Sequence, residues 1–211
     1  RSDAVVAPSE AVSEHLECSH SVVPFGIDAS RFQPTSRAAA RDELDWDRDE
    51  RVVLFPYDPD RDVKNHPLAE RVVERVPQDV TLKAVYDAPH EDVPTYMNAS
   101  DAVLVTSRRE SGPMVVKEAA MCNVPVVATD VGFVAESLDG VEHSRVCDSE
   151  DELVEGLAVV LAADERSDGR EQLEATSLEQ MGERLVSVYE DALERSTDHA
   201  TADRPSGRAD A

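Results

Sequence analysis

The sequence predicts an α/β fold, a doubly wound parallel sheet with helices on both faces. Three observations predict it. Short β-branched and apolar runs alternate with longer segments of helical spacing over most of the chain, and strand taking turns with helix implies parallel pairing. Hydrophobic residues make up 41% and are spread throughout, with no apolar run near the roughly 18 that a membrane helix needs. At 211 residues the chain suits one domain with an appended segment and is too short for two full α/β domains.

The elements follow in order. A strand is expected over 4–7, then a helix over 10–17 announced by Ser9 as its cap, and a strand over 21–23. A helix over 36–44 leads to a fully apolar strand over 52–55. Asn65 ahead of Pro67 starts a helix over 67–75, and a strand over 80–85 follows. The remaining expectations are a helix over 93–97, a strand over 102–106, a helix over 113–122, strands over 124–128 and 145–147, and a helix over 150–162 capped by Asp148 or Ser149. Leu178, Met181, Leu185, Val188, Tyr189 and Ala192 then recur at helical spacing, giving an amphipathic helix that needs a covering surface. From 196 to 211 apolar content collapses to alanine, and a disordered tail is expected.

Charge excludes whole classes of function. Forty-five Asp plus Glu against 21 Lys plus Arg give a formal charge of −24, which repels nucleic acid and anionic membranes. Arginine stands among the acids rather than apart from acidic blocks, which disfavours a surface that mimics nucleic acid. Only Lys64, Lys83 and Lys117 are lysines. Acid excess with so few lysines resembles proteins of salt-loving archaea, so a haloarchaeal source is expected. Cys18, Cys122 and Cys147 are odd in number and far apart, and the six histidines show no HxxxH pair, so neither a disulfide framework nor a metal site is indicated. A reducing cytoplasm fits best. Strand-like sequence begins almost at Arg1, as in an interior fragment, and an absent start is expected.

In open parallel sheets ligands bind beyond the carboxyl ends of the strands, which narrows the search to loops 56–64, 87–92 and 107–112. The most informative is Glu110-Ser111-Gly112-Pro113-Met114-Val115-Val116-Lys117-Glu118, where a loop becomes a helix. Gly112 permits close backbone approach, Pro113 suits the first helical position, and the N–H groups of Gly112, Met114 and Val115 are left to face a phosphate. Glu110 and Glu118 would reach different parts of an extended ligand. On spacing alone, a Glu before a helix also reads as dipole compensation and one inside it as solvent-facing.

The Glu-seven-residues-Glu run, followed by Pro125-Val126-Val127-Ala128-Thr129-Asp130-Val131-Gly132, resembles retaining nucleotide-sugar glycosyltransferases of family 4, glycosyl transferases group 1, with the GT-B fold. Ser2-Asp3-Ala4-Val5-Val6-Ala7-Pro8-Ser9, Val22-Val23-Pro24-Phe25-Gly26-Ile27-Asp28 and Phe32-Gln33-Pro34 are similar to the stretch where such enzymes pass from acceptor to donor domain. The likeness covers about residues 2–194. It implies a Rossmann-like donor-binding domain over 1–195, the C-terminal half of the GT-B pair, opened by an interdomain-type segment over 1–34 and lacking the N-terminal acceptor domain.

The resemblance also implies roles. Lys64 and Arg61 would neutralise the donor diphosphate, Glu110 would hold the transferred sugar, Glu118 the ribose, and His90 would lie by the nucleobase, with Gly112, Met114 and Val115 assisting through their N–H groups. The bland alternative for Arg61 and Lys64 is pairing with Asp58, Asp60 and Asp62. The donor would be a nucleotide-diphosphate sugar and the acceptor a saccharide or lipid-linked saccharide, with peripheral membrane association through the latter. No cofactor or metal and no nucleic acid is expected, and the apolar stripe of the last helix favours a homo-oligomer. Three features depart from the family: the short Arg61-to-Lys64 spacing, Ser111-Gly112-Pro113 in place of Gly-Phe-Gly, and Phe133 where a second glycine follows Gly132. Two other functions compete: a non-catalytic nucleotide-sugar binding or partner module, and a receiver-like domain built on Asp58, Asp60, Thr106 and Lys117. The second leaves the Glu110-to-Glu118 run unexplained.

Overall fold

The computed structural model describes residues 4–110 and 112–202, with side chains described to residue 195. The chain divides into two compact units, Ile27–Ser177 and Arg1–Gly26 with Leu178–Ala211. The division falls inside the opening segment expected over 1–34.

The larger unit is built on five parallel strands, β3 (Val52–Phe55), β4 (Thr81–Ala84), β5 (Ala102–Val105), β6 (Val126–Thr129) and β7 (Arg145–Cys147), after β1 and β2 of the smaller unit. Their order across the sheet is β4-β3-β5-β6-β7. Val53 registers with Ala102, and Val103 with Val126. β3 and β5 are buried at every position, as a strand covered on both faces must be. Side chains nevertheless alternate between two cores, because successive residues of a strand point to opposite faces. Leu54, Val103, Val105, Val126 and Ala128 join one cluster with Met97, Val116, Ala119 and Val134. Those partners come from α4 (Val93–Ala99), α5 (Met114–Met121) and α6 (Val134–Leu138). Val53, Phe55, Ala102, Leu104 and Val127 join the other, with Val72 of α3 (His66–Arg75) and Leu153, Leu157 and Val160 of α7 (Glu150–Ala163). Each fully buried Val, Leu or Phe contributes about 1.5–3 kcal/mol, so both layers are fixed by the same strands.

β4 lies on one side of β3 and β5 on the other, so the winding reverses between β3 and β5. A crevice opens there at the carboxyl ends, where Phe55 and Val105 give way to loops. The other helices of this unit are α2 (Arg37–Glu43), capped by Ser36, and the short α8 (Gly169–Gln172). Two 3-10 turns, Asp62–Lys64 and Glu174–Thr176, complete it.

In the smaller unit β1 (Val6–Ala7) pairs in parallel with β2 (Ser21–Val22), and α1 (Glu10–Ser13) is capped by Ser9, whose Oγ accepts from the Val12 N–H at 3.2 Å. The last helix, α9 (Leu178–Ala202), accepts the Gly26 N–H on Met181 Sδ at 3.2 Å and leaves Val186, Tyr189 and Leu193 exposed.

The parallel α/β architecture is as expected, with differences at the ends of elements. α1 stops at Ser13, short of 17, and Pro113 stands outside α5 as its cap residue. α9 runs through 196–202 because a helix already nucleated extends at little cost through Ala and Thr. The rest of the expected tail, 203–211, lies outside the described residues. Among the described residues no helix is long and apolar enough to cross a membrane.

Candidate active site

The crevice between β3 and β5 collects the ionisable groups. The loop after β3 turns through the Asp62–Lys64 3-10 helix and ends on Asn65, whose φ of 57° is left-handed. This turn sends the Lys64 side chain inward, where only 8% of it is exposed. Lys64 Nζ donates to Glu110 Oε1 at 2.5 Å and lies 3.8 Å from the centre of the Tyr57 ring. A carboxylate and an aromatic face thus compensate one buried ammonium. Asp58, Asp60 and Asp62 do not pair with it; the Asp58 carboxylate accepts from the Asp60 N–H instead.

Glu110 follows β5 and is 11% exposed. Its Oε1 also accepts from Ser107 Oγ at 2.7 Å. Thr106 Oγ1 donates to the carbonyls of Lys64 and Asn65, the Arg108 N–H donates to Val63, and Thr129 Oγ1 donates to the Ser107 carbonyl at 2.8 Å. Three loops are tied together by these bonds. Gly132, with φ +61°, lies so close to Glu110 that an added Cβ would meet its carbonyl oxygen at 2.7 Å. Tyr57, Thr106, Ser107 and Thr129 were not singled out from the sequence for this site; Tyr57 and Ser107 stand in the loops flagged there.

α5 opens beside Glu110. The Val116 N–H is used by the Pro113 carbonyl, while those of Gly112, Met114 and Val115 find no acceptor among the described residues. Met114 and Val115 are therefore the open N–H groups of an eight-residue helix, at its positive end. Lys117, on the same helix, is buried over the Phe133 ring at 5.3 Å, and burial pulls its pKa down.

Glu118, 14% exposed, faces a separate part of the crevice. With Leu54, Pro56, Val85, Val93, Tyr96 and Val115 it lines a cleft of about 160 Å³ with largely apolar walls. Burial raises its pKa, and His90 acts the other way. His90 Nε2 lies 3.6 Å from Glu118 Oε1, its Nδ1 bonds with Arg31 Nη1 at 2.6 Å, and its ring meets Phe32 edge-on. The structure thus brings Lys64 to Glu110 just ahead of the α5 start, and His90 to Glu118 at the cleft, with Tyr57 within electrostatic reach of both carboxylates. Arg61 is exposed at the head of the 3-10 turn, and its guanidinium has no ion pair among the described residues. The buried Tyr57 hydroxyl, near Glu110 and Ser107, makes no hydrogen bond of good geometry among the described residues, and burial followed by the nearby Glu110 charge raises its pKa. Among the described residues no group of three or more His, Cys, Asp or Glu is placed to hold a metal ion.

Fold and site together define the class, a doubly wound parallel α/β domain whose ionisable groups gather at the switch point of the sheet. Residues 62–176 match the family model described as glycosyl transferases group 1, and the chain belongs to that family. It is similar to the lipopolysaccharide core biosynthesis mannosyltransferase LpsB of Rhizobium meliloti, 28% identical over 240 aligned residues covering 92% of this chain and 67% of that protein. Its fold is similar to sucrose-phosphate synthase from Thermosynechococcus elongatus, with a TM-score of 0.80 at 20% identity over 92% of this chain and 59% of that one. Anabaena HepE in complex with UDP and glucose superposes with a TM-score of 0.72 at 16% identity, over 90% and 63% of the two chains. This chain spans 59–67% of the length of these three proteins. The group 1 membership expected from the motifs is found.

Proposed function

We propose that this chain supplies the donor side of a retaining glycosyl transfer, binding a nucleotide-diphosphate sugar along the crevice from Glu118 to Glu110. The observation that carries the reading is the buried Lys64 ammonium paired with Glu110, just ahead in sequence of the open N–H groups of α5, at the carboxyl ends of β3 and β5. A diphosphate seated there meets fixed donors that need no reorganisation as charge develops. When the bond from the anomeric carbon to the diphosphate oxygen breaks, the electron pair goes to that oxygen, and Lys64 with the Met114 and Val115 N–H groups stabilises it. Arg61 adds positive charge from the rim.

Glu110, fixed by Lys64 and Ser107, is placed to accept hydroxyls of the transferred sugar. Glu118 takes the ribose hydroxyls, and the apolar cleft beside it takes the base, with His90 at its edge. In this reading protein cations carry the charge work and no step is assigned to a metal. The relative solved with UDP and glucose supports the donor class. The acceptor is a saccharide or a lipid-linked saccharide.

Calorimetric titration with uridine, guanosine and adenosine diphosphates and the matching nucleosides, in about 2 M KCl to suppress long-range repulsion, tests the reading. One diphosphate binds, Lys64→Ala removes the preference for diphosphate over nucleoside, and Glu118→Ala weakens both. Absence of binding to every nucleotide, or indifference to both substitutions, overturns it.

A further inference from the structure

At the opposite end of the sheet, ahead of β3 and β5, lies a cavity of about 290 Å³ lined by Arg37, Arg51, Arg166, Asp101 and Asp164 among others. Three arginines face three acids in this lining, but the ion pairs are unevenly shared. Asp101 pairs with Arg37 and with Arg41 Nη2 at 2.8 Å, and its Oδ2 also accepts the Val52 N–H at 2.6 Å. Asp164 pairs with Arg37 at 2.8 Å. The third acid on the rim, Glu165, lies 3.0 Å from His143.

Arg166 and Arg51 are left over. Arg166 donates to the carbonyls of Ser100 at 3.0 Å and Asn98 at 2.5 Å, and Arg51 lies exposed at the rim; neither has an ion pair among the described residues. Asp101 and Asp164 are taken by Arg37 and Arg41, so two of the three lining arginines stand without an ion pair among the described residues. Burial, then the neighbouring Arg37 charge, brings the Arg166 pKa down to about 10, the mark of a cation lacking a close counter-ion. Arg37 reaches both acids through Nη1 alone, which leaves further donors of its fork.

We propose that this cavity binds a phosphate-class oxyanion, held by Arg51, Arg166 and the remaining donors of Arg37. A tetrahedral oxyanion pairs the two guanidinium groups that lack an ion pair and accepts several of their bonds at once, the pairing for which arginine is suited. The site is remote from Lys64 and Glu110 and is independent of the donor-binding reading.

The test is thermal unfolding of the whole chain titrated with inorganic phosphate, and separately with glycerol 3-phosphate, against NaCl at constant ionic strength. Phosphate or its monoester raises the unfolding temperature saturably while NaCl does not. The more potent of the two identifies free phosphate or a phosphomonoester as the ligand. Arg51→Ala, at an exposed side chain without an ion pair, raises the half-saturating concentration about tenfold, as loss of one charge-assisted contact predicts. Lys64→Met combined with Glu110→Gln, which removes the buried pair together, leaves the response intact, because the donor crevice is elsewhere. A response absent in the unaltered chain, unchanged by Arg51→Ala, or abolished by the Lys64→Met, Glu110→Gln pair overturns the proposal.

Discussion

Lys64 and Glu110 each owe their burial to the other. With 8% and 11% of their side chains exposed, removing one leaves the other as an uncompensated buried charge. Lys64→Met is expected to destabilise the chain by about 3 kcal/mol, the lower end for breaking a buried pair. Adding Glu110→Gln is expected to recover most of that loss, and denaturant unfolding of the double-mutant cycle measures the coupling. Neither variant regains diphosphate binding if the crevice works as proposed. Glu118 behaves in the opposite sense, because its burial goes without a strong counter-charge. Its folded pKa is raised above the ordinary 4.5, chiefly by burial. Below 4.5 the group is protonated in both folded and unfolded chains and costs nothing. As pH rises through that value the unfolded chain ionises first, and stability falls until the folded pKa has also been passed. Glu118→Gln is therefore expected to raise the unfolding temperature at pH 7, with the gain vanishing below the ordinary value. A carboxylate retained at a cost to stability is what a ligand-binding position looks like. Thermal unfolding of both proteins across the pH range checks the sign.

At the scale of elements, the site depends on the loop after β6 lying against the loop after β5. Gly132 lets that happen twice over, through its φ of +61° and through the space that a Cβ would take from the Glu110 carbonyl at 2.7 Å. Gly132→Ala is expected to destabilise by about 1–3 kcal/mol and to weaken diphosphate binding by moving Glu110, while nucleoside binding at Glu118 survives. Calorimetry with both ligands separates these effects. The sequence exposed the strands of this unit because burial on both faces demands apolar runs, as in Val52–Phe55 and Ala102–Val105. It did not expose α6 and α8, of five and four residues, because so short a helix has no periodicity to read and is fixed by packing. Glu110 and Glu118 were readable because their motif is local, whereas Lys64 and His90 were reached through the family resemblance. What no spacing reports is that Lys64 and Glu110 meet across 46 residues of sequence, and with them their local neighbours Tyr57 and Ser107. The same limit hid the arginine cavity, whose members come from four separate stretches of chain.

At the scale of the molecule, a charge of −24 sets two repulsive terms against one short-range attraction. Self-repulsion of surface carboxylates destabilises the compact state, and the same field opposes an incoming diphosphate that Lys64 and the α5 start attract at short range. Salt weakens the first two more than the third. The Debye length falls from about 10 Å at 0.1 M to about 3 Å at 1 M, whereas charges within a few ångströms of each other in a buried site are screened much less. Unfolding temperature and diphosphate affinity are therefore both expected to rise between about 0.1 M and 1 M KCl, the reverse of the usual salt response of a phosphate-binding protein. The control is a variant in which exposed acids of α9 are neutralised, Glu179→Gln, Glu183→Gln and Glu190→Gln together, at positions whose side chains lie in solvent. If repulsion is the cause, this variant starts from a higher unfolding temperature in low salt and gains less from added KCl. An equal gain in both proteins would instead assign the salt effect to ion-specific hydration of the apolar surface.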